Sequence, residues 1–249
     1  MIDIPIHHYT QHSNKTLNWV GTDQSDIIDK ILSDPDKFKT WSESGWTTET
    51  LIEYKFNEYG FRTDTFDSSR RIAVFGSSQT VGVGLHQWQT WPHLLGNALN
   101  TPIWNLATGT GTFDTYYRMI KYFAKELNIE YVVVMTTDDN IWEFWNNTGT
   151  PMLINGTDKP TNELSAISIA WGQHSNNKRI NQEKNLEAIK YICHAHQLPL
   201  IIFDIGDANK YKPVEPIDWS RCLSHVGPRY HQRIQEYIVD CLLKDIKIP

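Results

Sequence analysis

A three-layer α/β/α fold around a parallel sheet is what this sequence predicts, and three observations predict it. Four short runs, at residues 72–75, 102–106, 131–135 and 198–203, are apolar without alternation. Stretches with helical apolar spacing separate them, and each run ends in glycine or small polar residues. A strand that is apolar at every position is buried on both faces, as happens when helices cover both sides of a parallel sheet.

Composition sets the frame. The chain has 249 residues, 40% of them hydrophobic and 12% aromatic, enough to fill a sizeable core and too many for a disordered chain. Twenty-three basic against 29 acidic residues leave a formal charge of −6, which argues against a general nucleic-acid binder, because phosphate neutralisation needs a basic face. Three cysteines, Cys193, Cys222 and Cys241, form neither a disulfide framework nor a paired metal motif. The first 15 residues hold no apolar core of signal-peptide length, and no run approaches the ~18 apolar residues of a membrane span. The expectation is a soluble, cytoplasmic protein that engages neither membrane nor nucleic acid.

Residues 1–69 differ from the rest and are expected to form an extension packed on the main domain, residues 70–249. The extension holds one expected helix, near residues 26–32, where Ile27, Ile28 and Ile31 share a face and Pro35 ends the pattern. Trp19, Trp41 and Trp46 are expected to pack it onto the main body.

From Arg70 the punctuation becomes regular. The strand at 72–75 runs into Gly76, Ser77 and Ser78, and a helix follows from Thr90, its expected N-cap, with Pro92 in the first turn. After the strand at 102–106 comes a small-residue loop, then Phe113, Tyr116, Tyr117, Ile120, Phe123 and Leu127 at helical spacing. The strand at 131–135 is the richest in β-branched residues. A helical stretch within residues 178–196 leads to the strand at 198–203, and Tyr230, Ile234, Ile238, Cys241 and Leu242 mark a last amphipathic helix. In such sheets ligands bind beyond the carboxyl ends of the strands, which places the site at the loops after Phe75, Leu106, Met135 and Phe203.

Those loops carry the chemistry. Gly76 permits a tight strand-to-helix turn in which a serine can present its hydroxyl with backbone amides nearby. Late in the chain, directly before the final helix, lies His225. A serine on the first loop and a histidine near the end, joined by folding, would supply a nucleophile and a general base.

The ordered blocks resemble the SGNH, or GDSL-type, hydrolases over about residues 53–245. Residues 72–84 resemble the nucleophile block, with Ser78 on the nucleophile and Ser77 where the family has aspartate. Residues 54–62 and 90–95 resemble the family's lead-in and first helix. The family implies a flavodoxin-like fold, carboxylic-ester hydrolysis through an acyl-enzyme, and no cofactor or metal. Its oxyanion donors map onto the Ser78 N–H and the Gly109, Thr110 and Gly111 loop, with Thr110 at the key position. Its asparagine donor falls on Asp138, with Asn140 two residues on; an ionised carboxylate there would repel an oxyanion, so Asn140 takes the role, Asp138 is protonated, or catalysis is weak. Its Asp-x-x-His block leaves His225 as the base but puts Cys222 in the aspartate's place. Either Asp218 serves as the acid, or Ser78 and His225 work as a dyad.

Trp142 and Trp145 are expected either to form a substrate wall for a sugar or aromatic group or to pack against the inserted stretch 146–163, and His86 either to line the crevice or to stand as an exposed helix position. The expected partner is a small-molecule or carbohydrate ester. The rival readings are a scaffold that has lost turnover and only binds a glycan or partner, and a structural subunit docked through residues 1–69. His194 and His196 read as a helix-end pair in place of metal ligands.

Overall fold

The computed structural model describes residues 6–136, 141–146, 149–155, 163–211 and 218–243. The chain opens with a 3-10 turn, His8–His12, then β1 (Thr16–Leu17), α1 (Ser25–Leu32), α2 (Pro35–Glu43) and β2 (Tyr54–Lys55), which pairs antiparallel with β1. The main body follows as β3 (Arg71–Phe75), α3 (Ser78–Val81), a 3-10 turn (Gln87–Gln89), α4 (Trp91–Leu99), β4 (Ile103–Asn105), α5 (Phe113–Glu126) and β5 (Ile129–Met135). A hairpin of β6 (Ile141–Trp145) and β7 (Pro151–Asn155) is inserted next. Then come α6 (Glu163–Gln173), α7 (Ser175–Ala195), β8 (Leu200–Phe203), α8 (Ile205–Tyr211) and α9 (Pro228–Leu243).

All four expected strands form one sheet, parallel throughout, in the order β4-β3-β5-β8. Counted along the chain this is 2-1-3-4, the flavodoxin-like winding, whose switch point lies between β3 and β5. The two faces of one strand show why its sequence does not alternate. Ala73 and Phe75 pack with Tyr116, Ile120, Phe123 and Ile189 of α5 and α7, whereas Ile72 and Val74 pack with Trp91, Leu95, Ile234 and Ile238 of α4 and α9. Both sides are dry, so every position must be apolar.

The extension holds more structure than expected. Pro35 does not merely end α1; it begins α2 as its first residue, and Asp34 caps that helix through the N–H groups of Asp36 and Lys37 at 3.1 and 3.2 Å. Tyr9, Val20, Ile31, Trp41 and Trp46 share one cluster with Val81, Val83, Leu85, Ala107 and Cys222, so the extension packs directly against the loops that follow β3 and β4. Trp41 and Trp46 also donate their indole N–H groups to the carbonyls of Arg221 and Trp219, at 2.9 and 2.8 Å. Trp19 departs from the expectation and stays 36% exposed. No helix among the described residues is long and apolar enough to cross a membrane.

Candidate active site

The turn after β3 is shaped by its first residue. A Cβ on Gly76 would lie 2.0 Å from Thr80 Oγ1, so only glycine lets the chain reverse this tightly. Ser77 then caps the single turn of α3 with its carbonyl, accepting from the N–H groups of Thr80 and Val81, and Ser78 is the first helical residue. Beside it the loop after β4 is laced to β3: Leu106 N–H donates to Val74 O at 2.8 Å and Thr108 N–H to Gly76 O at 3.1 Å.

His225 comes from the loop before α9. Its Nε2 lies 2.8 Å from Ser78 Oγ and its Nδ1 lies 3.5 Å from Cys222 Sγ. Burial pushes the imidazole down to about 4, only partly offset by the negative charge of Asp23. The ring is therefore neutral at pH 7. For Ser78 to donate to Nε2, the ring hydrogen sits on Nδ1 and points at the sulfur. The sulfur in turn lies 3.4 Å from Thr22 Oγ1 and 3.3 Å from Ser220 Oγ.

The extension holds this loop in place. Arg221, buried at 3% exposure, donates to both carboxylate oxygens of Asp23 at 3.0 and 2.6 Å, and also to the carbonyls of Thr50 and Asn18. Tyr54 donates its hydroxyl to the same carboxylate at 2.6 Å. The Arg221 N–H reaches Gly84 O at 2.9 Å, tying the histidine loop to the serine loop. Sequence reasoning missed Asp23 and Arg221, because nothing in their local pattern links residues this far apart.

Asp218 is not within hydrogen-bonding reach of His225. Its carboxylate accepts from the N–H groups of Arg229 and Tyr230 at 2.8 and 3.3 Å, and so caps the first turn of α9. This corrects its expected role as the acid. His231 is also occupied structurally: its Nδ1 accepts from Trp91 N–H at 2.9 Å at the start of α4.

The oxyanion candidates divide. Among the described residues nothing accepts from the N–H groups of Ser78, Gly109 and Thr110, whereas Gly111 N–H is bound to Thr108 O at 3.1 Å and drops out as a donor. Asp138 and Asn140 lie outside the described residues. Ser78, Gly109, Thr110 and His225 line one cleft of about 340 Å³. A larger cavity of about 410 Å³ lies elsewhere, beside Arg71, His93 and Asn97, and contains neither Ser78 nor His225.

The expected substrate wall is corrected as well. Trp142 is buried at 5% exposure with Ile154 and Ile169, because the hairpin folds it inward. Trp145 donates to Glu143 Oε1 at 3.1 Å and lies under Arg118 at 4.8 Å, part of a buried network that holds the hairpin to α5. His86 stacks on Trp88 and does not line the cleft. The aromatic residue that does line it beside Ser78 and His225, besides Tyr9, is Trp19. His194 lies in the last turn of α7 and His196 caps it; among the described residues no group of three or more ligating side chains could hold a metal.

No protein-family model and no curated protein matches the sequence. By structure the chain is similar to a member of the lipolytic protein G-D-S-L family from Veillonella parvula DSM 2008, at 15% identity and a TM-score of 0.37, over 69% of this chain and 97% of that one. It is also similar to the psychrotrophic esterase EstA from Pseudoalteromonas sp., at 12% identity and a TM-score of 0.37, over 71% and 98% of the two chains. A carbohydrate esterase, whose active site is described as displaying divergent catalytic and non-catalytic binding functions, is similar at 14% identity and a TM-score of 0.36, over 82% of this chain and 70% of that one.

Proposed function

We propose that this protein is a serine esterase of the SGNH type, with Ser78 as nucleophile and His225 as general base. The observation that carries this reading is the 2.8 Å approach of Ser78 Oγ to His225 Nε2 at the mouth of an open cleft. A neutral imidazole at that distance can take the hydroxyl proton as Oγ attacks an ester carbonyl.

The tetrahedral oxyanion would be held by backbone N–H groups of Ser78 and of the Gly109–Thr110 loop, which have no described protein acceptor. Collapse expels the alcohol, which takes its proton from the imidazolium and leaves an acyl group on Ser78. His225 then activates water for the second half-reaction. The arrangement is a dyad supported by a thiol. Cys222 accepts the Nδ1 hydrogen and so keeps the ring in the useful tautomer, but it brings no negative charge to stabilise the imidazolium. Slow turnover is the expected consequence.

The test is hydrolysis of p-nitrophenyl acetate followed from the first turnover. A burst of p-nitrophenol equal to the enzyme concentration, absent from Ser78→Ala, supports the acyl-enzyme. Equal rates in the two proteins would remove the assignment.

A further inference from the structure

The cleft around Ser78 is walled mostly by the extension, and its chemistry is uniform. His8, Gln11, His12, Thr22 and Gln24 line it, and no Asp, Glu, Lys or Arg does so among the described residues. Burial keeps both imidazoles on this wall below their ordinary range, which disfavours their charged form. The lining offers amide, hydroxyl and imidazole groups, which suit a neutral ligand rich in hydroxyls and do nothing to offset the desolvation of a charged one.

Trp19 stands among them as a fixed plate. The Arg221 guanidinium lies 4.5 Å from its ring, and that guanidinium is held in turn by Asp23, Thr50 and Asn18. Trp19 is 36% exposed and lines the cleft. An exposed tryptophan is ordinarily free to turn; this one is pre-set by a cation locked beneath it, which lowers the ordering cost of stacking a ligand against it. Gln24 donates its amide hydrogen to Gly21 O at 3.1 Å, which holds the amide beside this plate.

We infer that Trp19 is the stacking platform for the alcohol part of the substrate, and that this alcohol is an uncharged, polyhydroxylated ring such as a pyranose. The inference rests on the esterase reading for the identity of the reacting bond. It assigns the extension a role in substrate choice, with Trp19 in the place expected for Trp142 and Trp145.

The experiment has two arms. In the first, kcat/KM is measured for a mono-O-acetylated methyl xylopyranoside, which keeps two free hydroxyls, and for ethyl acetate with the wild type, Trp19→Ala and Trp19→Phe. The ratio of the sugar ester to ethyl acetate is expected to fall about tenfold in Trp19→Ala and less in Trp19→Phe, which retains a ring, as the loss of one well-placed aromatic contact implies. In the second arm, Ser78→Ala and Ser78→Ala/Trp19→Ala are titrated calorimetrically with the same sugar acetate, with circular dichroism confirming that both are folded. Saturable binding that weakens about tenfold on loss of the indole supports the platform even if turnover is absent. An unchanged ratio in the first arm, or equal affinity in the second, overturns it. Failure of the esterase reading would show separately, as absence of a Ser78-dependent burst.

Discussion

His225 turns one ring nitrogen to Ser78 at 2.8 Å and the other to Cys222 at 3.5 Å, so a thiol stands where hydrolytic triads place a carboxylate. Within its apolar cluster that sulfur has two polar neighbours besides the imidazole: the hydroxyls of Thr22 and Ser220 lie 3.4 and 3.3 Å away. A carboxylate there would find two hydroxyl donors besides the imidazole. Cys222→Asp is therefore expected to raise kcat for acetate esters by about tenfold or more, because it would stabilise the imidazolium of the transition state. Cys222→Ala should lower kcat by freeing the ring to rotate and change tautomer. Steady-state kinetics on the pair check this; a Cys222→Asp protein that folds and gains nothing would contradict it.

The pH profile follows from burial of the base. His225 is held down to about 4 and works only when neutral, so kcat/KM should rise with pH through about 4 and be flat at neutrality. The acid limb would thus lie well below the ordinary histidine value of about 6.5. A limb centred near pH 6.5 would show that the imidazole is not buried as described.

Stability should follow the same direction. His7 and His231 are pushed down to about 3 by burial, and His225 to about 4. Each binds a proton more readily in the unfolded chain, near pH 6.5, than in the folded one. Stability is therefore full above about pH 6.5 and is lost as pH falls towards 4 and 3. Urea midpoints measured between pH 7 and 4 should decline steadily, and His231→Gln should blunt the decline.

Asp218 offers a contrast between a cap and a catalytic acid. Because its carboxylate accepts from Arg229 and Tyr230 N–H at the start of α9, Asp218→Asn is expected to cost about 1 kcal/mol of stability. The pH profile of kcat/KM should keep its shape. A displaced acid limb in Asp218→Asn would instead place this carboxylate in the proton path.

The clamp between Asp23 and Arg221 joins the extension to the histidine loop with both partners almost fully buried. Breaking one side leaves an unpaired buried charge, so Asp23→Asn or Arg221→Met is expected to cost about 3–5 kcal/mol. The double variant should recover part of the loss, as chemical denaturation would show. A loss in the double equal to the sum of the two single losses would mean that the pair is not coupled.

How much of this was legible in the sequence depended on whether the controlling contact was local. The strands at 72–75 and 131–135 announced themselves because dryness on both faces forces an unbroken apolar run. Ser78 was found because its loop borders the first of those strands, and His225 because its block before the last helix resembles that of a known family. Pro35 was read only as the end of α1, and α2, which it begins behind the cap of Asp34, was missed. Trp142 and Trp145 were expected at the cleft because they follow a strand end; the hairpin that turns them away depends on pairing with residues 151–155, which their own neighbourhood does not encode. Trp19 was expected to help pack the extension onto the main body. Its exposure is decided by Arg221, distant in the chain, and that pairing leaves no periodic trace.

The most direct measurement is intact-protein and peptide mass spectrometry after treatment with a fluorophosphonate. The account predicts one adduct per chain, on the peptide carrying Ser78, absent from Ser78→Ala and at least a hundredfold slower in His225→Ala. An adduct elsewhere, none at all, or the same labelling rate without the imidazole would contradict it.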